Sequence, residues 1–142
     1  MTTNKFKLTN IEAYEKRRRK IIQREYIQQA CDFLAQAESA LKSGYLFRFR
    51  DFARFSAVRA IKAIFVWNDI HPPRETDLHY LRELAKKLEP KLENYSGFLE
   101  DLNNYCPDRN TPSENQRNTA ILSGMVDFLK DVNTWINAVG RR

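Results

Sequence analysis

The chain has 142 residues, which is enough for one domain with a hydrophobic core of its own. Apolar residues make up 42% of it and charged residues 30%, proportions that argue against wholesale disorder. Only 4 glycines and 5 prolines are present, too few for a turn-dense β-sandwich or barrel. No apolar run is long enough to span a membrane and the first residues form no signal peptide, so we expect a protein of the cytoplasm without a membrane segment.

The positive charge is concentrated in the first part of the chain. Lysine and arginine number 24 against 18 acidic residues, for a net charge of +6. Residues 1–30 and residues 42–62 each carry +5, whereas residues 31–41 and residues 63–142 each carry −2. This asymmetry favours a polyanionic partner, which is RNA, a nucleotide or an acidic protein. A solvated basic helix face is the alternative.

The first predicted helix begins at Thr9, which has the spacing of a capping box with Glu12, and ends before Gly44. Its apolar residues recur every three or four positions. Five consecutive cations lie inside this helix, and they must be exposed because they surround most of its circumference. We predict that they form a basic surface, with simple solubility as the alternative: Lys16, Arg17, Arg18, Arg19 and Lys20. Residues 1–24 are therefore expected to form a basic N-terminal arm that continues into the helix.

The second predicted helix, residues 45–68, is apolar on nearly every side. One broad face is expected to enter the core: Phe49, Ala53, Ser56, Ala57, Ala60, Ile64 and Trp67. A second stripe carries Phe47, Val58 and Phe65. A helix of this kind must be covered almost completely, by its own domain or by a second subunit. We predict a homodimer whose interface includes the three residues of the second stripe, with the central helix of a monomer as the alternative.

Three further helices complete the predicted fold. Thr76 is expected to cap the third, the fourth carries residues 92–102, and the fifth covers residues 111–139 and begins with a capping box. Gly124 inside the fifth helix indicates close packing, because glycine there costs about 1 kcal/mol relative to alanine. No segment alternates as a strand does. The sequence therefore predicts an all-α, up-and-down bundle of about five helices, four of which form the core.

The sequence contains no pattern typical of catalysis or metal binding. His71, Glu75 and His79 would share one helix face, but the two prolines after His71 break that helix. There is no glycine-rich phosphate loop, Ser-His-Asp set or paired-carboxylate motif. Cys31 and Cys106 make neither a disulfide framework nor a zinc pattern, and Cys31 is expected to be a buried small residue. We predict no catalytic residue, no metal and no cofactor.

Contacts to a phosphate would then come from side chains, and arginine suits them because its guanidinium binds in a bidentate way. Arg48, Arg50 and Arg54 begin the second helix beside aromatic residues. Cations next to aromatic rings suit phosphates and stacked bases. We predict that these three arginines bind a ligand, with ion pairs to acids on a neighbouring helix or subunit as the alternative.

Three short motifs follow one another along the chain. Residues 55–63 read FSAVRAIKA, residues 76–81 read TDLHYL, and residues 105–108 read YCPD. Their order and spacing resemble the HEPN domain (higher eukaryotes and prokaryotes nucleotide-binding), a small all-α fold. The likeness covers about residues 25–139, so we expect residues 25–142 to form a HEPN-like bundle. The resemblance adds four residues to the expected ligand contacts: Lys62, Tyr105, Asp108 and Arg109.

Several positions depart from the family pattern. Ser56 and Arg59 stand where the second helix of the family has Gln and Glu. Thr76 stands where it often has histidine, and Tyr105 where it often has arginine. Members that cleave RNA use an arginine followed closely by a histidine late in the domain, and no histidine follows His79 in this chain. The resemblance therefore implies a member without catalysis.

What the resemblance implies is a binding module in a toxin–antitoxin-like or regulatory context. It would engage a nucleotidyltransferase partner, or a nucleotide- or RNA-type anionic ligand. Two alternatives stay open. One is a stand-alone nucleic-acid-binding helical protein that uses the basic N-terminal half, and the other is a divergent ribonuclease that relies on Arg109, Tyr105 or His79.

Overall fold

The described residues form five α-helices and one short 3₁₀ helix. A computed structural model describes residues 2–107 and 112–138, and no strand occurs in that part of the chain. The prediction of an all-α bundle is confirmed. The elements are α1 (Thr2–Lys42), α2 (Leu46–Trp67), α3 (Leu78–Leu88), the 3₁₀ helix (Pro90–Tyr95), α4 (Ser96–Asn104) and α5 (Pro112–Ile136). Within the described ranges, none of these helices has both the length and the apolar character needed to cross a bilayer.

α1 begins earlier than the sequence predicts. It starts at Thr2, so Thr9 and Glu12 lie inside the helix and not at its first turn. It ends, as predicted, shortly before Gly44, whose φ of +79° suits a residue without a Cβ atom. The 41 residues of α1 extend about 60 Å. Most side chains between residues 10 and 22 are exposed, so the basic arm is a continuous part of this helix that makes little contact with the bundle.

α2 is apolar on nearly every side because it is the central helix, in contact with α1, α3, α4 and α5. The predicted core face is confirmed from Phe49 to Ile64, both of which are fully buried, whereas Trp67 at its end is only half-buried. Val58 and Phe65 of the second stripe are only 3% and 4% exposed within the single chain. Of the three residues predicted for a homodimer interface, only Phe47, at 46% exposed, therefore lies on the surface.

The third and fourth predicted helices begin at other residues than expected. Asp77, and not Thr76, caps α3, since its side chain accepts a hydrogen bond from the Tyr80 N–H at 3.1 Å. A carboxylate also interacts favourably with the helix dipole at this end, which favours Asp over Thr. The predicted fourth helix is divided, because Pro90–Tyr95 form a 3₁₀ helix and α4 only follows it. The predicted cap of the last helix, Thr111, lies outside the described residues.

The prediction that Cys31 is buried is wrong. Both cysteines are exposed. Ala30, one position earlier, is the residue that packs on α2, and its carbonyl accepts a hydrogen bond of 2.7 Å from the Ser56 hydroxyl. Because successive residues of a helix point about 100° apart, Cys31 faces away from that contact.

Gly124 allows α5 to approach α4 closely, as the sequence predicts. A Cβ atom at this position would lie 2.4 Å from Cε1 and 2.9 Å from Cδ1 of the Phe98 ring. A Cβ atom at Gly97, near the start of α4, would meet no described atom within 4 Å. The two glycines therefore differ in what an added methyl group would contact.

Gly124→Ala is expected to lower the free energy of unfolding by about 1–2 kcal/mol, because the Phe98 ring must move to admit the methyl group. Gly97→Ala is the matched control, and it is expected to raise the free energy of unfolding by up to about 1 kcal/mol because alanine favours the helix. Urea unfolding of the two variants measures the difference. A stabilised Gly124→Ala protein would contradict the tight contact between α4 and α5.

Candidate functional site

A groove lies where α1 passes the C-terminal ends of α2 and α5. Its volume is about 620 Å³, within the usual range of small-molecule sites. α1 contributes four cations to its lining, and the end of α2 contributes Trp67. The lining residues are Lys16, Arg19, Lys20, Gln23, Arg24, Ile27, Gln28, Trp67, Asn133, Ile136, Asn137 and Ala138. We call this cavity the basic groove.

The spacing of residues along α1 produces one wall of the basic groove. Lys16, Lys20, Gln23 and Ile27 recur every three or four positions and therefore face the same side of the helix. Arg19 is half-buried, whereas Arg17 and Arg18 are exposed and do not line the groove. The predicted basic surface is thus divided between two sides of α1, with three of its five residues in the groove.

Two contacts join the walls of the basic groove. Gln23 is 6% exposed, and its Nε2 donates to the carbonyl oxygen of Ile136 at 3.4 Å. This bond gives a donor to one of the last carbonyls of α5, which have no partner inside their own helix. Arg19 Nη1 lies 3.5 Å from Asp69 Oδ1, in the loop just after α2. α1 is therefore tied to the ends of both helices that form the opposite wall.

The charges of the basic groove do not cancel. The C-terminal ends of α2 and α5 each contribute a partial charge of about −0.5, and Asp69 contributes a full negative charge. Lys16, Arg19, Lys20 and Arg24 contribute four positive charges. The helix ends and Asp69 together offset about half of this, so a net charge of about +2 is left for an anion.

Trp67 adds an aromatic surface to the basic groove. Its indole Nε1 is buried and has no hydrogen-bond partner among the described residues, so a bound group would reach it only if neighbouring side chains moved. Asn133 and Asn137 line the same cavity, and their amides can both donate and accept. The basic groove therefore combines cations for a phosphate with groups that suit a base.

The three arginines predicted to bind a ligand at the start of α2 make contacts within the chain. Arg54 donates to the carbonyl oxygens of Leu102, Asn103 and Tyr105 at 3.1, 2.7 and 2.9 Å. The other two arginines lie nearer the surface. Arg50 contacts Asp51 at 3.0 Å, and the Arg48 guanidinium lies 5.1 Å from the centroid of the Tyr45 ring. Arg54 is thus occupied by the end of α4, and Arg48 is the most exposed of the three.

Of the other predicted contact residues, two are buried and two lie outside the described part of the chain. Lys62 is 6% exposed on α2, and burial, together with the charge of Arg59, lowers the pKa of its ammonium group. Tyr105 is 1% exposed, and its hydroxyl donates to Asn118 Oδ1. Asp108 and Arg109 lie outside the described residues.

Comparison with protein-family models identifies one domain in the chain. The model of the HEPN domain matches residues 23–134, which is most of the sequence. This chain belongs to the HEPN family. Comparison with curated proteins and with solved structures gives no significant match. The resemblance inferred for residues 25–139 is therefore confirmed at the level of the family.

The basic groove joins the HEPN domain to the basic arm. Lys16, Arg19 and Lys20 precede the matched range, whereas Gln23, Trp67 and Asn133 lie within it, and the last lining residues, 136–138, follow it directly. The sequence predicted the arm cations but assigned Trp67 to the core. The cavity itself could not be predicted, because it depends on where the ends of two other helices meet α1.

A second polar cluster of this HEPN protein lies between α3 and α4. Arg82 is 7% exposed, donates to the carbonyl of Ser96 at 2.9 Å and lies 2.9 Å from Glu100. The same guanidinium is 3.0 Å from Nδ1 of His79. A hydrogen bond from Asn104, with further contributions from His79 and Arg82, lowers the pKa of Glu100. In the described part of the chain, no three His, Cys, Asp or Glu side chains are close enough together to hold a metal ion.

Proposed function

We propose that this HEPN protein is a binding module for a nucleotide- or RNA-type anionic ligand, which it holds in the basic groove without catalysing a reaction. The observation that carries the proposal is the groove itself, where four α1 cations face Trp67 across a cavity of about 620 Å³. Bases stack on aromatic side chains and phosphates pair with lysine and arginine, so this combination suits a nucleotide unit.

The chain's histidines support binding without catalysis. Its two histidines are His71 and His79, both near the middle of the matched domain, so the late Arg–His pair of the RNA-cleaving members has no counterpart. Neither histidine lines the basic groove. The cations and amides of the groove can hold phosphates and bases, but lysine and arginine are poor general bases near neutral pH because they stay protonated.

Binding to the basic groove is tested with a fluorescent single-stranded RNA of about 12 nucleotides and, separately, with ATP. Lys16→Glu combined with Lys20→Glu is expected to weaken binding at least tenfold, because two cations of the groove become anions. Arg17→Glu combined with Arg18→Glu is the matched control. It changes the same charge on the same helix outside the groove, and is expected to change affinity by less than about threefold.

Two further measurements test binding in the basic groove: the salt dependence of RNA affinity and the fluorescence of tryptophan. Affinity for RNA is expected to fall steeply between about 50 and 200 mM salt, as for any complex held by phosphate contacts. The bound ligand is also expected to change the emission of Trp67. Equal loss of binding in both double variants, or no binding at about 50 mM salt, would contradict a site in the groove.

A nucleotidyltransferase is the partner protein we propose for a toxin–antitoxin-like or regulatory role. The HEPN match supports a module related to nucleotides or RNA, which is the setting in which such a partner would act. Co-purification of the full chain from its native cells tests the pairing. Recovery of a protein with nucleotidyltransferase activity in stoichiometric amount supports it, and recovery of the chain with RNA alone counts against it.

The divergent ribonuclease is the second candidate, and one contact favours it. His79 Nδ1 lies 3.0 Å from the Arg82 guanidinium, so the two residue types of an RNA-cleaving pair do meet on α3. His79 is exposed, whereas Arg82 is held by Ser96 and Glu100. Incubation with total RNA decides between the two: cleavage that disappears in His79→Ala would overturn binding without catalysis.

A further inference from the structure

The side of α1 that faces away from the basic groove carries an exposed apolar stripe. Ile11, Tyr14 and Ile21 are 56%, 59% and 55% exposed. With Arg18 they follow one another at intervals of three, four and three residues, which is the a/d spacing of a coiled-coil seam. We call these four residues the arm seam. Single exposed apolar residues are common on proteins, but several aligned on one face mark an interaction surface.

The face that carries the arm seam continues into a small cleft between α1 and α2. The cleft has a volume of about 180 Å³ and is lined by Ile22, Glu25, Tyr26, Gln29 and Arg59. Glu25 lies four residues beyond Ile21, so the cleft is the next step along the seam. Arg59 comes from α2 and gives the seam a cation that is fixed to the bundle.

Charge determines which occupant the arm seam suits. Residues 10–24 contain six cations and two acids, but four of these cations line the basic groove. The cations on the side of the seam are Arg17 and Arg18, with Arg59 from α2, against Glu15 and Glu25. Two copies of α1 packed side by side would bring these basic segments together, and like charges across an interface are unfavourable. An RNA strand would neutralise the cations but leave Ile11 and Ile21 in water.

We propose that the arm seam is the docking site of an amphipathic acidic helix from a partner protein. The apolar stripe of that helix packs on Ile11, Tyr14 and Ile21, and its flanking carboxylates pair with Arg17 and Arg18. The arm seam and the basic groove lie on different sides of α1, so both can be occupied at once. This proposal does not rest on the ligand of the groove.

The test uses the full chain and a labelled synthetic peptide of about three heptads, with leucine at its a and d positions and glutamate beside them. Fluorescence anisotropy is expected to give a dissociation constant on the order of 10 µM. Ile11→Ser combined with Ile21→Ser, and Arg17→Glu combined with Arg18→Glu, are each expected to weaken binding at least tenfold. Lys16→Glu combined with Lys20→Glu is the control, with a change of less than about threefold.

The two charge variants are expected to have opposite effects on RNA binding and on peptide binding. This difference distinguishes the docking site from the proposed function of the groove. The variant at positions 16 and 20 is expected to lose RNA and keep the peptide, and the variant at positions 17 and 18 to keep RNA and lose the peptide. Equal binding of a second peptide with lysine in place of glutamate would overturn an acidic partner. Sedimentation that shows a dimer dissociated by the Ile11→Ser/Ile21→Ser change would also overturn it, because a second copy would then cover the seam.

Discussion

Arg54→Ala is expected to lower the free energy of unfolding by about 3 kcal/mol, a large share of the stability of a domain of this size. The Arg54 guanidinium donates to three backbone carbonyls at the end of α4, those of Leu102, Asn103 and Tyr105. The last carbonyls of a helix have no donor inside the helix, and they carry its partial negative charge. Hydrogen bonds that involve a charged group contribute about 1.5–3 kcal/mol each, and three on one side chain are less than additive.

Guanidinium chloride unfolding measures the loss, and two further variants make the result specific. Arg50→Ala removes an arginine one turn away whose ion pair is with the adjacent Asp51, and this partly exposed pair is expected to contribute less than about 1 kcal/mol. Arg54→Lys keeps the charge but not the planar fork, so an intermediate loss is expected. If Arg54→Ala and Arg50→Ala have equal effects, the three carbonyl contacts contribute little and Arg54 is available to a ligand after all.

The structure explains why Arg54 was assigned to a ligand site on the sequence alone. Helical spacing predicts which residues of α2 share a face, and the burial of Phe49 and Ile64 confirms that prediction. Spacing does not show what a polar residue meets. The partners of Arg54 lie 48 to 51 positions away, at the end of α4. The start of α4 was itself predicted wrongly, because Pro90–Tyr95 form a separate 3₁₀ helix.

One wall of the basic groove could be predicted from the sequence and the other could not. The charge count located the basic arm, because a run of five cations on a helix must be exposed whatever the fold. Trp67 was assigned to the core because it shares the apolar face of α2. It lies at the last position of that helix, where the bundle no longer covers it completely, and the structure shows it half-buried beside the arm. Residues at element ends are those for which periodicity is least informative.

Arg82→Leu is expected to lower the free energy of unfolding by about 2–3 kcal/mol at neutral pH. Arg82 is 7% exposed and joins α3 to α4 through the Ser96 carbonyl and the Glu100 carboxylate. Leucine keeps much of the apolar volume of the arginine side chain but leaves the Ser96 carbonyl without this donor. Removing one partner of a partly buried polar contact costs more than the intact contact contributes, because the other partner is left unsatisfied. Lys86→Ala is the control. It removes an exposed pair with Glu83 and is expected to cost less than about 0.5 kcal/mol.

The pH dependence of stability gives the Arg82 prediction an independent readout. The hydrogen bond from Asn104, followed by the contributions of His79 and Arg82, lowers the pKa of Glu100 below its ordinary value of 4.5 in the folded chain. A carboxyl group with a lowered folded pKa stabilises the protein above its unfolded pKa, and this stabilisation is lost as the pH falls through the folded pKa. The difference in melting temperature between the wild type and Arg82→Leu is therefore expected to shrink below about pH 4.5.

A double-mutant cycle with Glu100→Gln identifies which contact of Arg82 is responsible. If the ion pair is the main stabilising contact, Arg82→Leu is expected to cost distinctly less in the Glu100→Gln background than in the wild type. The pH dependence of this cost is then expected in the wild-type background and lost in the Glu100→Gln background. If the cost is the same in both backgrounds and at all pH values, the bond to the Ser96 carbonyl holds α3 against α4. In that case the ion pair with Glu100 adds little to stability. The contact between Arg82 and His79 is then the part of the cluster on which a ribonuclease mechanism would depend.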